Sequence, residues 1–111
     1  MGDLKNVDVA HAQRLRAAGA LLLDVREVDE WDAGHAPAAQ HVPLSSVPDV
    51  LDDLPHDRII VVVCRSGGRS ARAGQFLVEH GFDVANLDGG MTAWHEAGAE
   101  LQSESGDPFV A

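Results

Sequence analysis

The sequence holds a single cysteine, Cys64, and no tyrosine. One thiol can close no internal disulfide and build no cysteine-rich zinc site, which fits a reducing compartment. Positive charge is scarce too: eight Lys and Arg stand against 18 Asp and Glu, for a formal net charge of -10 and a pI near 4.7. A field of that sign repels nucleic acid and anionic membrane, so neither is expected as a partner. No apolar run approaches the ~18 residues of a membrane span, and Met1 to Asn6 lacks the apolar core of a signal peptide. Asn6 also stands where a myristoylation signal beginning at Gly2 requires Ser or Thr. His11, His35, His41, His56, His80 and His95 show no ligand spacing with the acids or the cysteine, so no metal or other cofactor is called for. The expectation is a cytoplasmic chain whose 111 residues, 45% apolar and 23% charged, form one domain around one core.

What the sequence does have is one crowded stretch. Three of the eight basic residues, Arg65, Arg69 and Arg72, fall within eight positions directly after the only cysteine. The run Cys64-Arg65-Ser66-Gly67-Gly68-Arg69-Ser70 follows the most apolar segment, Ile59 to Val63, and leads into an amphipathic stretch. A strand that stops at a thiol, then glycines, then a helix start, is a way to build an anion-binding cup. Gly67 and Gly68 tolerate positive φ and close approach, so the backbone can turn its N–H groups inward. The helix start adds unpaired N–H groups and the positive end of a dipole, both favouring thiolate at Cys64. A lone cysteine at a strand end is more often a small buried hydrophobe, but such a thiol needs no arginines around it. The residues alone leave the anion open among phosphate, arsenate and sulfur species.

The rest of the chain alternates between strand and helix patterns. Asp8 caps a short amphipathic helix from Val9 that Gly19 closes, and Ala20 to Val25 reads as a strand buried on both faces. Glu27, Asp29, Glu30 and Asp32 surround Val28 and Trp31, a solvated helix with its aromatic turned inward. Gly34 to Pro37 is a turn, His41-Val42 at most a short strand, and Ser45 or Ser46 caps a brief helix through Val47 and Leu51. After the Cys64 loop, Ala71, Ala73, Phe76, Leu77 and His80 mark the buried side of a helix ended by Gly81. Val84 to Leu87 is a strand, Gly89-Gly90 a turn, and Met91 to Ala97 a helix with Trp94 inside. The composition from Ala99 onward predicts a partly ordered tail, 99–111, with Phe109 and Val110 against a single domain, 1–98. Such alternation predicts an α/β sandwich with a mainly parallel central sheet of about five short strands and helices on both faces. Sites in such sheets lie beyond the carboxyl ends of strands, where Asp24-Val25-Arg26 and Cys64 both stand.

Protein tyrosine phosphatases place five residues between cysteine and arginine, whereas four separate Cys64 from Arg69. With this shorter loop, Leu23-Asp24-Val25-Arg26-Glu27, Glu30-Trp31, Gly34-His35, Val42-Pro43-Leu44, Leu87-Asp88-Gly89-Gly90 and Ala93-Trp94 follow in order. The stretch from Asp8 to Gly98 resembles the rhodanese-like sulfurtransferases in their single-domain, thiosulfate-using form. The resemblance implies that Cys64 takes a sulfane sulfur from thiosulfate or a persulfide and passes it to cyanide, a thiol or a protein acceptor. It also implies that Arg65, Ser66, Gly67, Gly68, Arg69 and Ser70 hold the substrate, with the arginines facing a sulfonate. Asp24 and Arg26 are then expected to pair with the loop or the acidic helix and fix the shape of the cup, the alternative being an ordinary structural ion pair. His35 reads as a hydrogen-bonded structural residue and Trp31 and Trp94 as core. Ala38 stands where the family usually carries glycine, which predicts a different backbone in that turn. A persulfide carrier, a redox-sensing module and a small-anion phosphatase or arsenate reductase are the competing readings.

Overall fold

The computed structural model describes residues 3–111. The reading of Met1 and Gly2 falls outside the described residues. Five parallel strands, β1 (Lys5–Val7), β2 (Leu21–Asp24), β3 (Gln40–His41), β4 (Ile60–Val63) and β5 (Val84–Leu87), form one sheet in the order β1-β5-β4-β2-β3. The helices α1 (Val9–Ala17), α2 (Val28–Ala33), α3 (Gly68–Glu79) and α4 (Gly90–Glu96) connect them, with a 3₁₀ segment over Leu44–Asp53 between β3 and β4.

Side chains alternate across a strand, so β2 and β4 divide between two faces. Leu21, Leu23, Ile60, Val62 and Cys64 pack with Val47, Leu54, Ala73 and Leu77 beneath α3 and the 3₁₀ segment. Leu22, Val61, Val63, Ala85 and Leu87 pack with Ala12, Met91 and Trp94 beneath α1 and α4. Burial on both faces is why these strands read as unbroken apolar runs.

Several local expectations are corrected. The edge strand β1 was not anticipated, because only Val7 of its three residues is buried. No serine side chain caps the 3₁₀ segment: Pro43 precedes it, and Pro48 within it has no N–H for an α-helical ladder. The buried stripe of α3 is Ser70, Ala73, Gly74 and Leu77, while His80 lies exposed on the last turn. Gly74 fits there because a Cβ would press on Leu4 at 2.8 Å and Val62 at 3.2 Å. Trp94 is fully buried, whereas Trp31 is only half-buried, stacked on His35 at 3.6 Å and His41 at 4.8 Å. His35 is buried and its Nδ1 lies 2.9 Å from the Trp31 carbonyl, the structural setting expected of it. Ala38 has φ of 61°, a left-handed backbone that glycine favours, so the turn keeps a glycine-like conformation without the glycine.

Residues 99–111 run back along the body. Gln102 exchanges two backbone hydrogen bonds with His35, and the Trp94 indole donates to the Glu100 carbonyl at 2.8 Å. Val110 packs against the α1/α4 face, but the Phe109 ring is exposed; only its backbone docks, donating to Ala33 O at 3.0 Å.

Candidate active site

In parallel strands the carboxyl ends fall on one side. Asp24 pairs with Val63 in register, and Val25 N–H donates to Val63 O at 3.0 Å, so the chain beyond β2 and beyond β4 emerges at one place. From there one connection runs to β3 on one side and the other to β5 on the opposite side. Their divergence leaves the crevice that open α/β sheets use for ligands. Cys64 lies at its floor, 1% exposed. A surface cavity of about 480 Å3 lies at the other end of the sheet, among Lys5, Val78, Phe82 and Val84.

The loop wraps the sulfur with donors. Gly67 adopts φ of 113° and starts α3 without a side-chain cap, so the first-turn N–H groups remain available to an anion. Gly67 N–H donates to Cys64 Sγ at 3.0 Å, and Ser70 Oγ lies 3.3 Å from it. Burial pushes the thiol up, but the Ser70 hydroxyl and the N–H groups of Ser70, Gly67 and Ser66 outweigh it and hold Cys64 below its ordinary value. Two of the loop carbonyls turn to α4. Cys64 O accepts from Met91 N–H at 2.8 Å and Arg65 O from Thr92 N–H at 3.0 Å, at the start of α4. This close approach requires Gly90: with φ of 57°, a Cβ there would overlap Cys64 O and lie 2.6 Å from Arg65 O.

Around the loop the charged side chains form two pairs, Asp24–Arg26 and Glu30–Arg69. Asp24 and Arg26 are both fully buried and pair with one another, Arg26 Nη2 to Asp24 Oδ2 at 2.8 Å. Arg26 Nη2 also donates to Gly34 O at 2.8 Å. The pair thus braces the C-terminal end of the acidic helix α2, one of the two partners expected for it, and not the Cys64 loop. Arg69 is engaged by Glu30 through two hydrogen bonds of 2.7 and 2.8 Å, so its guanidinium is already matched to a carboxylate. Arg65 and Ser66 are exposed on the outer loop, and Gly68 opens α3 beside them. Two residues that the sequence reading left without a role at the loop belong to this site. Asn86 of β5 is 4% exposed and contacts both Ser70 and Gly67. Gly90 admits the loop carbonyls to α4, and its only sequence signal is the doubled glycine with Gly89.

Glu30 does a second job, accepting from Glu27 N–H at 3.0 Å in the capping box of α2. The Arg69 contact holds its carboxyl at about 2, well below the usual range. A group depressed by folding stabilises above its unfolded value and loses that contribution as pH falls through the folded value. Acid titration of wild type and Glu30→Gln is therefore expected to give a stability difference that is constant at neutral pH. It should shrink from the unfolded value of 4.5 down toward 2. Thermal melts across this range check it.

A parallel α/β sheet that delivers its sole cysteine into a glycine-turned loop of inward N–H groups defines a class, the thiol proteins with a backbone anion cup. Within that class the chain belongs to the rhodanese-like domain family, whose model matches residues 8–97. It is 38% identical over 95 residues to the thiosulfate sulfurtransferase GlpE of Pseudomonas fluorescens (strain SBW25), covering 85% of this chain and 87% of that one. A putative sulfurtransferase, YtwF of Bacillus subtilis (strain 168), is 41% identical over 73 residues, 66% of this chain and 71% of its own. Among solved structures, a rhodanese-related protein from Thermoplasma volcanium superposes with a TM-score of 0.84 at 28% identity, covering 90% of this chain and 99% of that one. Among the described residues, no helix is long and apolar enough to cross a membrane, and no group of three or more His, Cys, Asp or Glu could hold a metal ion.

Proposed function

We propose that this protein is a cytoplasmic sulfurtransferase that carries a sulfane sulfur on Cys64. The observation that carries the reading is the uncapped start of α3, which places Gly67 N–H on Cys64 Sγ with Ser70 Oγ beside it. The Cys64 thiolate attacks the outer sulfur of thiosulfate and a new S–S bond forms. The old S–S bond breaks, and sulfite departs with the electron pair. The persulfide's terminal sulfur is anionic, and loop N–H groups stabilise it as an oxyanion hole stabilises oxygen. Cyanide or a thiolate then attacks that terminal sulfur, and Cys64 leaves as thiolate.

Arg65, exposed on the loop, is the side chain free to meet the sulfonate of thiosulfate, with Ser66 as a further donor. Arg69, held by Glu30, instead forms a neutralised wall. The likeness to proteins named thiosulfate sulfurtransferases supports thiosulfate as a donor; a protein thiol or its persulfide is the partner that a buried single cysteine would serve in the cell.

The test is intact-mass measurement after thiosulfate treatment. The protein should gain the mass of one sulfur atom, and cyanide should remove it while releasing one equivalent of thiocyanate. No gain of mass with thiosulfate, 3-mercaptopyruvate or glutathione persulfide would overturn the proposal. Loading that goes through once but does not turn over would assign the carrier role in place of the enzyme.

A further inference from the structure

We propose that Asn86 is a positioning residue that sets the nucleophilicity of Cys64 by competing with its sulfur for the single hydroxyl proton of Ser70. The inference rests on Cys64 being the reacting thiol.

The register of the sheet brings the parts together. In β5, Asn86 pairs with Val62 of β4 on one side and with Asn6 of β1 on the other. Its side chain is tucked under the loop. The orientation of its carboxamide follows from Gly67 O, 3.3 Å away, because a backbone carbonyl only accepts. The nitrogen must therefore face Gly67 O, where it also donates to Asn6 Oδ1 at 3.0 Å. Asn86 Oδ1 is left turned toward Ser70 Oγ at 2.6 Å. Ser70 is completely buried and has one proton to give, with three acceptors in reach: Asn86 Oδ1 at 2.6 Å, Cys64 Sγ at 3.3 Å and Gly67 O at 3.3 Å.

The shortest contact takes the proton while the sulfur is a neutral thiol, which is a poor acceptor. When the sulfur becomes a thiolate, a charge-assisted bond is stronger and the hydroxyl turns toward it. The Ser70–Asn86 bond is thus made in the thiol state and given up in the thiolate state, so it favours the thiol. Charged groups near the sulfur are Arg69, Glu30 bound to it and the exposed Arg65; among the described residues none hydrogen-bonds to Ser70 or Asn86.

The consequence bears on both halves of sulfur transfer. A thiolate stabilised too far leaves well but attacks weakly, since nucleophilicity falls with thiol basicity. Asn86 keeps the donor set of Cys64 conditional, so the attacking sulfur is not over-stabilised.

With one cysteine and no tyrosine, the ultraviolet band of the thiolate titrates Cys64 alone, with Cys64→Ser as the blank. Asn86→Ala should lower the titration midpoint and raise the thiolate fraction below it about fivefold, the scale of one hydrogen bond. Asn86→Asp, a stronger acceptor carrying charge, should move it the opposite way. In a Ser70→Ala background the Asn86→Ala effect should vanish. The charge that Asn86→Asp adds repels the thiolate on its own, so the decision rests on Asn86→Ala. Loosening of the loop alone would act without Ser70. An Asn86→Ala shift that persists in the Ser70→Ala background, or a midpoint that stays or rises in Asn86→Ala, overturns the proposal. Should neither Asn86 variant fold by circular dichroism, Asn6→Ala, altered at an exposed position, releases one anchor of the carboxamide. It should lower the midpoint by a smaller amount, and an unmoved midpoint counts against the proposal. The titration involves no sulfur donor, so failure of persulfide formation and failure of this inference are read separately.

Discussion

Cys64→Ser is expected to reduce sulfur transfer from thiosulfate to cyanide to the uncatalysed rate. The loop would still present its N–H groups, and the smaller oxygen would still accept from Gly67, so the fold and the anion cup should survive. What is lost is the bond-forming atom. A serine hydroxyl is un-ionised near neutral pH, and no persulfide can form on oxygen, so the covalent route is closed rather than slowed. No other cysteine is present to substitute for it. Steady-state thiocyanate formation, with circular dichroism as the control for folding, checks the result; a variant that kept transferring sulfur would place the chemistry elsewhere.

The second large effect is on stability. Asp24→Ala should cost about 3–5 kcal/mol, because it leaves the Arg26 guanidinium fully buried without its counter-charge. That guanidinium has little reserve: its Nη1 is the one buried side-chain nitrogen or oxygen without a hydrogen-bond partner among the described residues. Repeating the change in an Arg26→Met background should recover most of the loss, since a buried pair replaced by apolar groups is often near neutral. Urea denaturation of the two single variants and the double variant measures this. An Asp24→Ala protein as stable as wild type would mean that the guanidinium finds water.

Much of this is legible in the sequence. Ile59 to Val63 reads as a two-faced strand because both faces of β4 are covered, and the glycines after Cys64 read as a loop because Gly67 does take a left-handed backbone. What failed to show was whatever depends on register. Asn86 looks like a polar interruption in a short strand until pairing places it between Asn6 and Val62, under the loop. Arg69 looks like a free cation until folding brings in Glu30, 39 positions earlier. β1 leaves no trace in the pattern, because an edge strand of three residues with one buried side chain carries no period. Periodicity records what a residue faces across its own element; it says nothing of the partner supplied from a distant one.

The docking of the Cys64 and Arg65 carbonyls on Met91 and Thr92 has a consequence for evolvability. Rotating the Arg65–Ser66 peptide unit by half a turn would turn the Ser66 N–H away from the sulfur, put a carbonyl in its place and break a bond to α4. The loop is therefore locked in one polarity by its main chain. Side-chain changes at Arg65, Ser66 or Ser70 can retune which anion enters and how fast it reacts, but they cannot convert the site into a cation receptor. Drift in this domain is channelled toward new anions, or toward loss of the thiol, and away from a reversal of sign.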